Sequence, residues 1–132
     1  MKAFPTVGTV GRVAFVVEAK HAIDFADQDM PAVLSTPWLI WFLEHAARQS
    51  VLPFLNAGES TVGVEIEVQH LAPTPPGQTV HCEARVVRIT GHELWFQLQA
   101  HDPAERIATG FHKMRVIRKD RFAARVRNKG CG

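Results

Sequence analysis

Cysteine is scarce in this chain of 132 residues, and long apolar runs are absent. The two cysteines, Cys82 and Cys131, exclude a disulfide framework and a cysteine-rich metal site. No apolar stretch approaches the ~18 residues of a membrane span, and the first residues lack the apolar segment of a secretory signal. The seven histidines show no zinc-site spacing. These absences predict a cytoplasmic protein without a membrane segment or a bound metal.

Acidic residues are almost missing from the C-terminal end. Residues 113–132 carry eight basic side chains and one acidic one, whereas residues 1–112 carry seven basic and twelve acidic ones. This asymmetry predicts a local anionic partner. No basic strand with interleaved aromatics accompanies it, so nucleic-acid binding is not expected. Residues from about 119 to 132 form a basic C-terminal tail, which is either a solvated, partly disordered end or, at its beginning, the border of a groove that attracts phosphates. Residues 125–132 are predicted to be solvated.

The remaining pattern predicts one α+β domain over residues 1–132. A helix is expected from residue 37 to about 52, with Thr36 as its cap and Pro37 at its first position. Period-two alternation around it predicts strands within residues 9–19 and 62–70, from residue 80, within 94–100 and over 106–117. Hairpin-linked strands after one helix indicate an antiparallel sheet.

The expected helix is apolar nearly all round from Trp38 to Leu43. A helix of this kind is predicted to be surrounded, as it would be inside a curved antiparallel sheet. The edge strands of such a sheet would pair with a second copy of the chain.

Glu44 and His70 are the first candidates for chemistry. A carboxylate at the end of so apolar a helix segment would suit a general base or a water-positioning group. Alternatively, Glu44 pairs with Arg48 four residues on. His70 continues the parity of the apolar strand positions before it. It is either a core-edge residue or a partner for the polar end of the helix.

Thr36 and Gly63 are the second pair of candidates. Thr36 needs no role beyond capping, although its hydroxyl could bind substrate or act as a nucleophile. Gly63 interrupts a strand, which indicates that another group approaches the backbone closely. An N–H at this position could stabilise an oxyanion.

Four fragments in order resemble the hot-dog fold thioesterases, and within them the fluoroacetyl-CoA thioesterase-like family. The resemblance covers residues 9–126. Its carriers are Val33-Leu34-Ser35-Thr36 with Glu44 eight residues after Thr36; Gly58 to Gly63, with His70 seven residues on; the run from His70 to Gly77; and Ala100-His101-Asp102 with Gly110-Phe111-His112.

The resemblance implies a long central helix wrapped by an antiparallel sheet, a homodimer or a dimer of dimers, and hydrolysis of a short acyl-CoA thioester. It implies no cofactor beyond the CoA thioester that is the substrate. Thr36, Glu44 and His70 would form the catalytic set, and the Gly63 N–H would help hold the oxyanion. A hot-dog dehydratase-hydratase and a non-catalytic acyl-CoA binder are the alternatives.

Substrate-binding positions depart from the family pattern. Asp27 and Met30 stand where the fluoroacetyl-specific member has lid phenylalanines, so Met30 is expected to contact a different acyl group. In the last strand the family's arginine position is held by Met114. The basic residues that follow are predicted to border the CoA entrance: Arg115, Arg118, Lys119 and Arg121.

Overall fold

The computed structural model describes residues 4–130, so Cys131 lies outside the described residues. The strands are β1 (Val10–Val16), β2 (Glu59–His70), β3 (Thr79–Thr90), β4 (Glu93–His101) and β5 (Arg106–Arg118), and the helices are α1 (Thr36–Val51) and α2 (Lys119–Gly130). The strands form one antiparallel sheet in the order β1-β3-β4-β5-β2. The predicted α+β architecture, with a long helix packed on a curled antiparallel sheet, is confirmed.

Helix α1 packs mainly on β1 and β3. Leu39 and Leu43 are fully buried in this contact. Gly11 allows it, because a Cβ at that position in β1 would collide with the carbonyl oxygen of Ala46. The close approach seats the middle of α1 directly on the sheet.

The other side of α1 is open, so the prediction that the helix is surrounded is wrong for the single chain. Trp41 remains 47% exposed, and its ring stacks on His45 with the centroids 3.8 Å apart. The sheet curls over one side of the helix only. An apolar surface therefore remains next to the open edge strand β2.

Strand β2 contains a bulge that the alternation did not predict. The pairing with β5 shifts between Gly63 and Glu65, so Val64 is left over and is exposed. A bulge reverses the facing of the residues on either side of it. Gly63 therefore shares a face with Ile66 and His70, whereas the sequence pattern had put Val64 on that face.

The basic C-terminal segment is helical, which corrects the prediction of a partly disordered tail. Helix α2 continues directly from β5 and buries none of its residues. Its interior lacks proline and glycine and is rich in alanine, arginine and lysine, which are strong helix formers. The basic side chains are thus placed at defined positions on a helix.

Among residues 4–130, no helix is long and apolar enough to cross a membrane. In the same residues no group of three or more His, Cys, Asp and Glu side chains could hold a metal ion.

Candidate active site

Thr36 and His70 meet at the start of α1. The Thr36 hydroxyl and Nδ1 of His70 are 2.8 Å apart, which joins the first turn of the helix to the last residue of β2. Thr36 is free to make this contact because Ser35 is the helix cap, and its hydroxyl accepts from the N–H of Trp38. The prediction that Thr36 caps the helix is therefore wrong by one residue.

The segment before Thr36 is held by buried hydrogen bonds. The N–H of Leu34 donates to the carbonyl of Thr74, and the N–H of Ser35 donates to the carbonyl of His21. Thr74 is itself fixed by a 2.9 Å hydrogen bond from its hydroxyl to Asp102. These contacts set where the helix begins and hence where the Thr36 hydroxyl lies.

The second ring nitrogen of His70 is buried and has no hydrogen-bond partner among the described residues. Burial also lowers the pKa of His70 below its usual value, against a smaller opposing effect of the backbone at Ala72. Burial therefore favours the neutral form of the ring. An unpartnered buried nitrogen is costly in a finished structure, so a hydrogen-bond partner for Nε2 is expected once the site is complete.

Glu44 lies against Gly63. A Cβ built on Gly63 would lie 3.6 Å from Oε2 of Glu44 and 3.4 Å from Cε1 of His112. The predicted close approach at Gly63 is thus present, and the approaching group is the Glu44 carboxylate. These residues line a cleft of about 290 Å³ at the bulge of β2.

Glu44 does not pair with Arg48. Arg48 donates instead to the hydroxyl of Thr61 at 2.6 Å and to that of Ser60 at 3.4 Å. Within residues 4–130 the Glu44 carboxylate forms no hydrogen bond or ion pair. A helix-surface ion pair with Arg48 therefore does not account for Glu44, and its carboxylate remains available in the cleft.

His112 is the site residue that the sequence reasoning missed. Its Nδ1 lies 3.0 Å from the carbonyl of Glu65, and its ring stacks on Phe96. Burial lowers the pKa of His112, while the Glu65 carbonyl and the negative charge of Glu44 oppose the shift. Its parity in β5, which matches that of buried Gly110 and Met114, was the available signal.

The two sets of residues do not meet within one chain. Glu44 is eight residues after Thr36, which is ~12 Å along the helix axis. Gly63 is seven residues before His70, which is ~20 Å along β2. Each chain therefore presents a Thr36–His70 pair at one place and a Glu44–Gly63–His112 cluster at another.

The remaining predicted site residues lie elsewhere. Met30 is exposed in the loop before α1, where its N–H donates to Asp27. The four basic residues lie where β5 joins α2, and two of them are already ion-paired: Arg115 with Glu93 at 3.1 Å and Arg118 with Asp120 at 3.3 Å. Cys82 is buried, and its pKa is raised to about 12, so it offers no nucleophile.

Comparison with known proteins shows the family to which the chain belongs. The model of the fluoroacetyl-CoA-specific thioesterase family matches residues 16–120. The chain belongs to this family. A fluoroacetyl-CoA thioesterase from Streptantibioticus cattleyicolor is 36% identical over 101 residues, which cover 76% of this chain and 73% of that protein.

Solved structures agree with the family. A mutant of the fluoroacetyl-CoA-specific thioesterase FlK matches with a TM-score of 0.89 and 32% identity, covering 97% of this chain and 99% of that one. A hot-dog-like protein from Thermanaerovibrio acidaminovorans matches with a TM-score of 0.85 and 27% identity, covering 93% and 91%. The hot-dog fold and the acyl-CoA thioesterase activity that the sequence predicted are confirmed. Neither the dehydratase-hydratase nor the non-catalytic binder is favoured.

Proposed function

We propose that this thioesterase hydrolyses a small acyl-CoA at a site that two chains build together. Thr36 and His70 of one chain would face Glu44 and Gly63 of its partner. The observation that carries the proposal is the separation of the two sets within one chain, each with a polar group left unpaired: Nε2 of His70 and the carboxylate of Glu44.

The edge strand β2 supports this arrangement. Among residues 4–130, β2 pairs only with β5, so its other edge carries unpaired backbone groups over a strand of twelve residues. A two-fold antiparallel pairing centred between Ile66 and Glu67 would place His70 of each chain beside Gly63 of the partner subunit. Such a homodimer would also cover part of the exposed surface around Trp41. A dimer of dimers would extend the same assembly.

The groups at such a site divide the reaction between them. Glu44 takes a proton from water while the water oxygen attacks the thioester carbonyl. The Gly63 N–H stabilises the resulting oxyanion. His70, neutral and hydrogen-bonded to Thr36, presents Nε2 to the substrate. The tetrahedral intermediate then expels the CoA thiolate, which takes the proton from Glu44 and leaves as the thiol. The carboxylic acid product gives its own proton to solvent and leaves as its anion.

Met30 is proposed to contact the acyl group. It precedes Thr36 on the exposed loop and is flexible and apolar, so it can fit against more than one small acyl chain. Acyl-CoA is made and used in the cytoplasm, and the buried, unbridged Cys82 agrees with that reducing compartment. We therefore place the protein there.

Complementation between two inactive variants tests the composite site. Glu44→Gln and His70→Asn are each expected to abolish thiol release from acetyl-CoA and other small acyl-CoAs. Co-expressed, the two chains form mixed dimers in which one of the two sites has all wild-type groups. We expect about a quarter of the wild-type activity from random pairing across a two-fold interface.

The controls separate assembly from chemistry. Each variant alone must remain a folded dimer by circular dichroism and light scattering. A purified mixed dimer with no activity would show that each site lies within one chain. A monomeric wild-type enzyme with full activity would overturn the shared site altogether.

A further inference from the structure

We propose that the groove between α2 and the end of β5 binds the 3′-phosphoadenosine diphosphate end of CoA. Arg121 and Arg125 would hold its phosphates, and Phe122 would stack on the adenine. The inference rests on the proposed acyl-CoA function. It extends that function to three residues of α2, of which Phe122 and Arg125 were not predicted from sequence.

The groove has the size and charge for such a ligand. Its volume is about 350 Å³, and one carboxylate, Glu59, is in its lining. Val116 and Ile117 of β5 contribute apolar lining. The positive charge comes from four guanidinium groups around this lining: Arg115, Arg118, Arg121 and Arg125.

Two of these arginines are not in an ion pair with a described residue, although Arg121 lies close enough to Asp120 to lower the pKa of that carboxyl. Arg115 and Arg118 are paired with Glu93 and Asp120. Within residues 4–130, Arg121 and Arg125 form no ion pair. They are four residues apart on α2, and like charges at this spacing repel one another. A bound polyphosphate would remove the repulsion, and guanidinium groups bind phosphate oxygens two at a time.

Phe122 supplies a surface for a flat base. It is 41% exposed, and it lines the groove between Arg121 and Arg125. The spacing of Arg121, Phe122 and Arg125 puts them on one face of α2, and Arg118 immediately precedes the helix as the last residue of β5. An exposed aromatic ring among cations is a combination that binds nucleotides by stacking and charge together.

The distance from the groove to the cleft matches the rest of the CoA molecule. The groove includes Glu59, and Gly63 lies four residues further along β2, ~13 Å away. The pantetheine arm of CoA has as many chain atoms as the backbone of four residues, and it therefore spans ~13–14 Å when extended. A CoA thioester with its nucleotide in the groove would bring its carbonyl to Gly63 and Glu44.

Two substrates that differ in the nucleotide test the proposal. Acetyl-CoA carries the phosphoadenosine diphosphate and acetyl-pantetheine lacks it. We expect Arg121→Gln/Arg125→Gln to lower kcat/KM for acetyl-CoA at least tenfold, mainly through KM, and to leave kcat/KM for acetyl-pantetheine unchanged. The matched control is Arg127→Gln/Lys129→Gln, which removes the same charge from α2 outside the groove and should behave as wild type.

Direct binding gives a readout that does not need turnover. Calorimetry with adenosine 3′,5′-bisphosphate should show binding to the wild type and to the control, and none to the groove variant. Phe122→Ala should weaken this binding and leave binding of pyrophosphate unchanged. Equal binding by all variants, or equal loss with both substrates, would overturn the proposal. So would wild-type binding of pyrophosphate without preference for the nucleotide.

The binding and turnover results also separate the two proposals. Nucleotide binding that depends on the groove, in a protein without thioesterase activity, would refute the proposed function and leave the groove assignment standing. Turnover of acetyl-CoA that is the same in the groove variant as in the wild type would refute the groove assignment and leave the proposed function standing.

Discussion

Helix α1 and strand β2 meet at two sites, the Thr36–His70 pair and the cluster of Glu44, Gly63 and His112. The two sites differ in how their polar groups are held. At one, Thr36 and His70 are joined by a direct hydrogen bond of 2.8 Å. At the other, the Glu44 carboxylate forms no hydrogen bond or ion pair among the described residues, lies near His112, and is accommodated by the missing side chain of Gly63. The first place orients a ring, whereas the second leaves a charged group reactive and reachable. Neither holds all the groups that the proposed mechanism uses.

The largest effect is expected at the second place. Glu44→Gln keeps the shape of the side chain and removes its ability to take a proton, so kcat should fall by about 10²–10⁴-fold. Glu105→Gln, the same substitution at an exposed glutamate in the turn between β4 and β5, is the matched control and should retain full activity. Thiol release from a panel of small acyl-CoAs measures both. Near wild-type activity of Glu44→Gln would remove Glu44 from the reaction.

A smaller effect is expected at the Thr36–His70 pair, where the Thr36 hydroxyl acts by orienting the His70 ring. Thr36→Val should lower kcat/KM about 10- to 100-fold, because it removes one hydrogen bond to the ring. Thr36→Ser keeps the hydroxyl and should retain most of the activity. If Thr36→Val instead loses as much as Glu44→Gln and the wild type accumulates an acyl-enzyme, Thr36 is the nucleophile.

Gly63→Ala separates activity from stability. A methyl group there would be in ordinary contact with Glu44 and His112, so the fold should persist. Alanine is favoured over glycine within a strand, and the free energy of unfolding should rise by about 0.5–1 kcal/mol. The same methyl occupies the cleft beside the carboxylate, and kcat/KM should fall about tenfold or more. Denaturant unfolding measures the change in stability, and thiol release measures the change in kcat/KM. An unchanged kcat/KM would show that substrate does not approach at Gly63.

The smallest effect is the pH dependence of stability, to which both places contribute. Burial lowers the pKa of His70 and of His112, so below about pH 6.5 the unfolded chain binds more protons than the folded one. The contribution of these histidines to the free energy of unfolding should be fully present above this pH and should decrease as the pH falls below it.

The melting temperature should therefore drop by a few degrees between pH 6.5 and pH 5. His112→Gln should flatten this slope, while His81→Gln, which changes an exposed histidine on β3, should keep it. A slope that is the same for His112→Gln as for the wild type would show that His112 does not charge on unfolding in this range.

The main elements were predictable because each has a local cause. Proline at the second helical position marked the start of α1 to within one residue, and the alternation marked β3, β4 and β5. The capping role was assigned to the wrong hydroxyl, since Ser35 and Thr36 are adjacent and equally able to cap. Helix α2 was not predicted, because a dense run of basic residues is typical of a solvated tail. The same residues have a high helix propensity, and that propensity determines the structure.

The sequence points to individual candidate residues but not to their grouping. It picks out Glu44 and His70 as polar residues on apolar faces, and their catalytic roles stay predictions. The close approach expected at Gly63 is present. The bulge at Val64 could not be seen in the alternation, because one extra residue changes the facing of a strand without changing its composition. His112 was part of the resemblance but was not assigned to the site.

The sequence by itself determined the fold class, the family and the residues capable of chemistry, because these depend on periodicity, turn residues and motif order along the chain. The tertiary structure decided which of those residues meet. It turned Arg48 away from Glu44, placed His112 beside the carboxylate, and joined Thr36 to His70 across 34 positions. Contacts of that kind depend on strand register and on the seating of a helix on a sheet, and no local pattern in the chain encodes either.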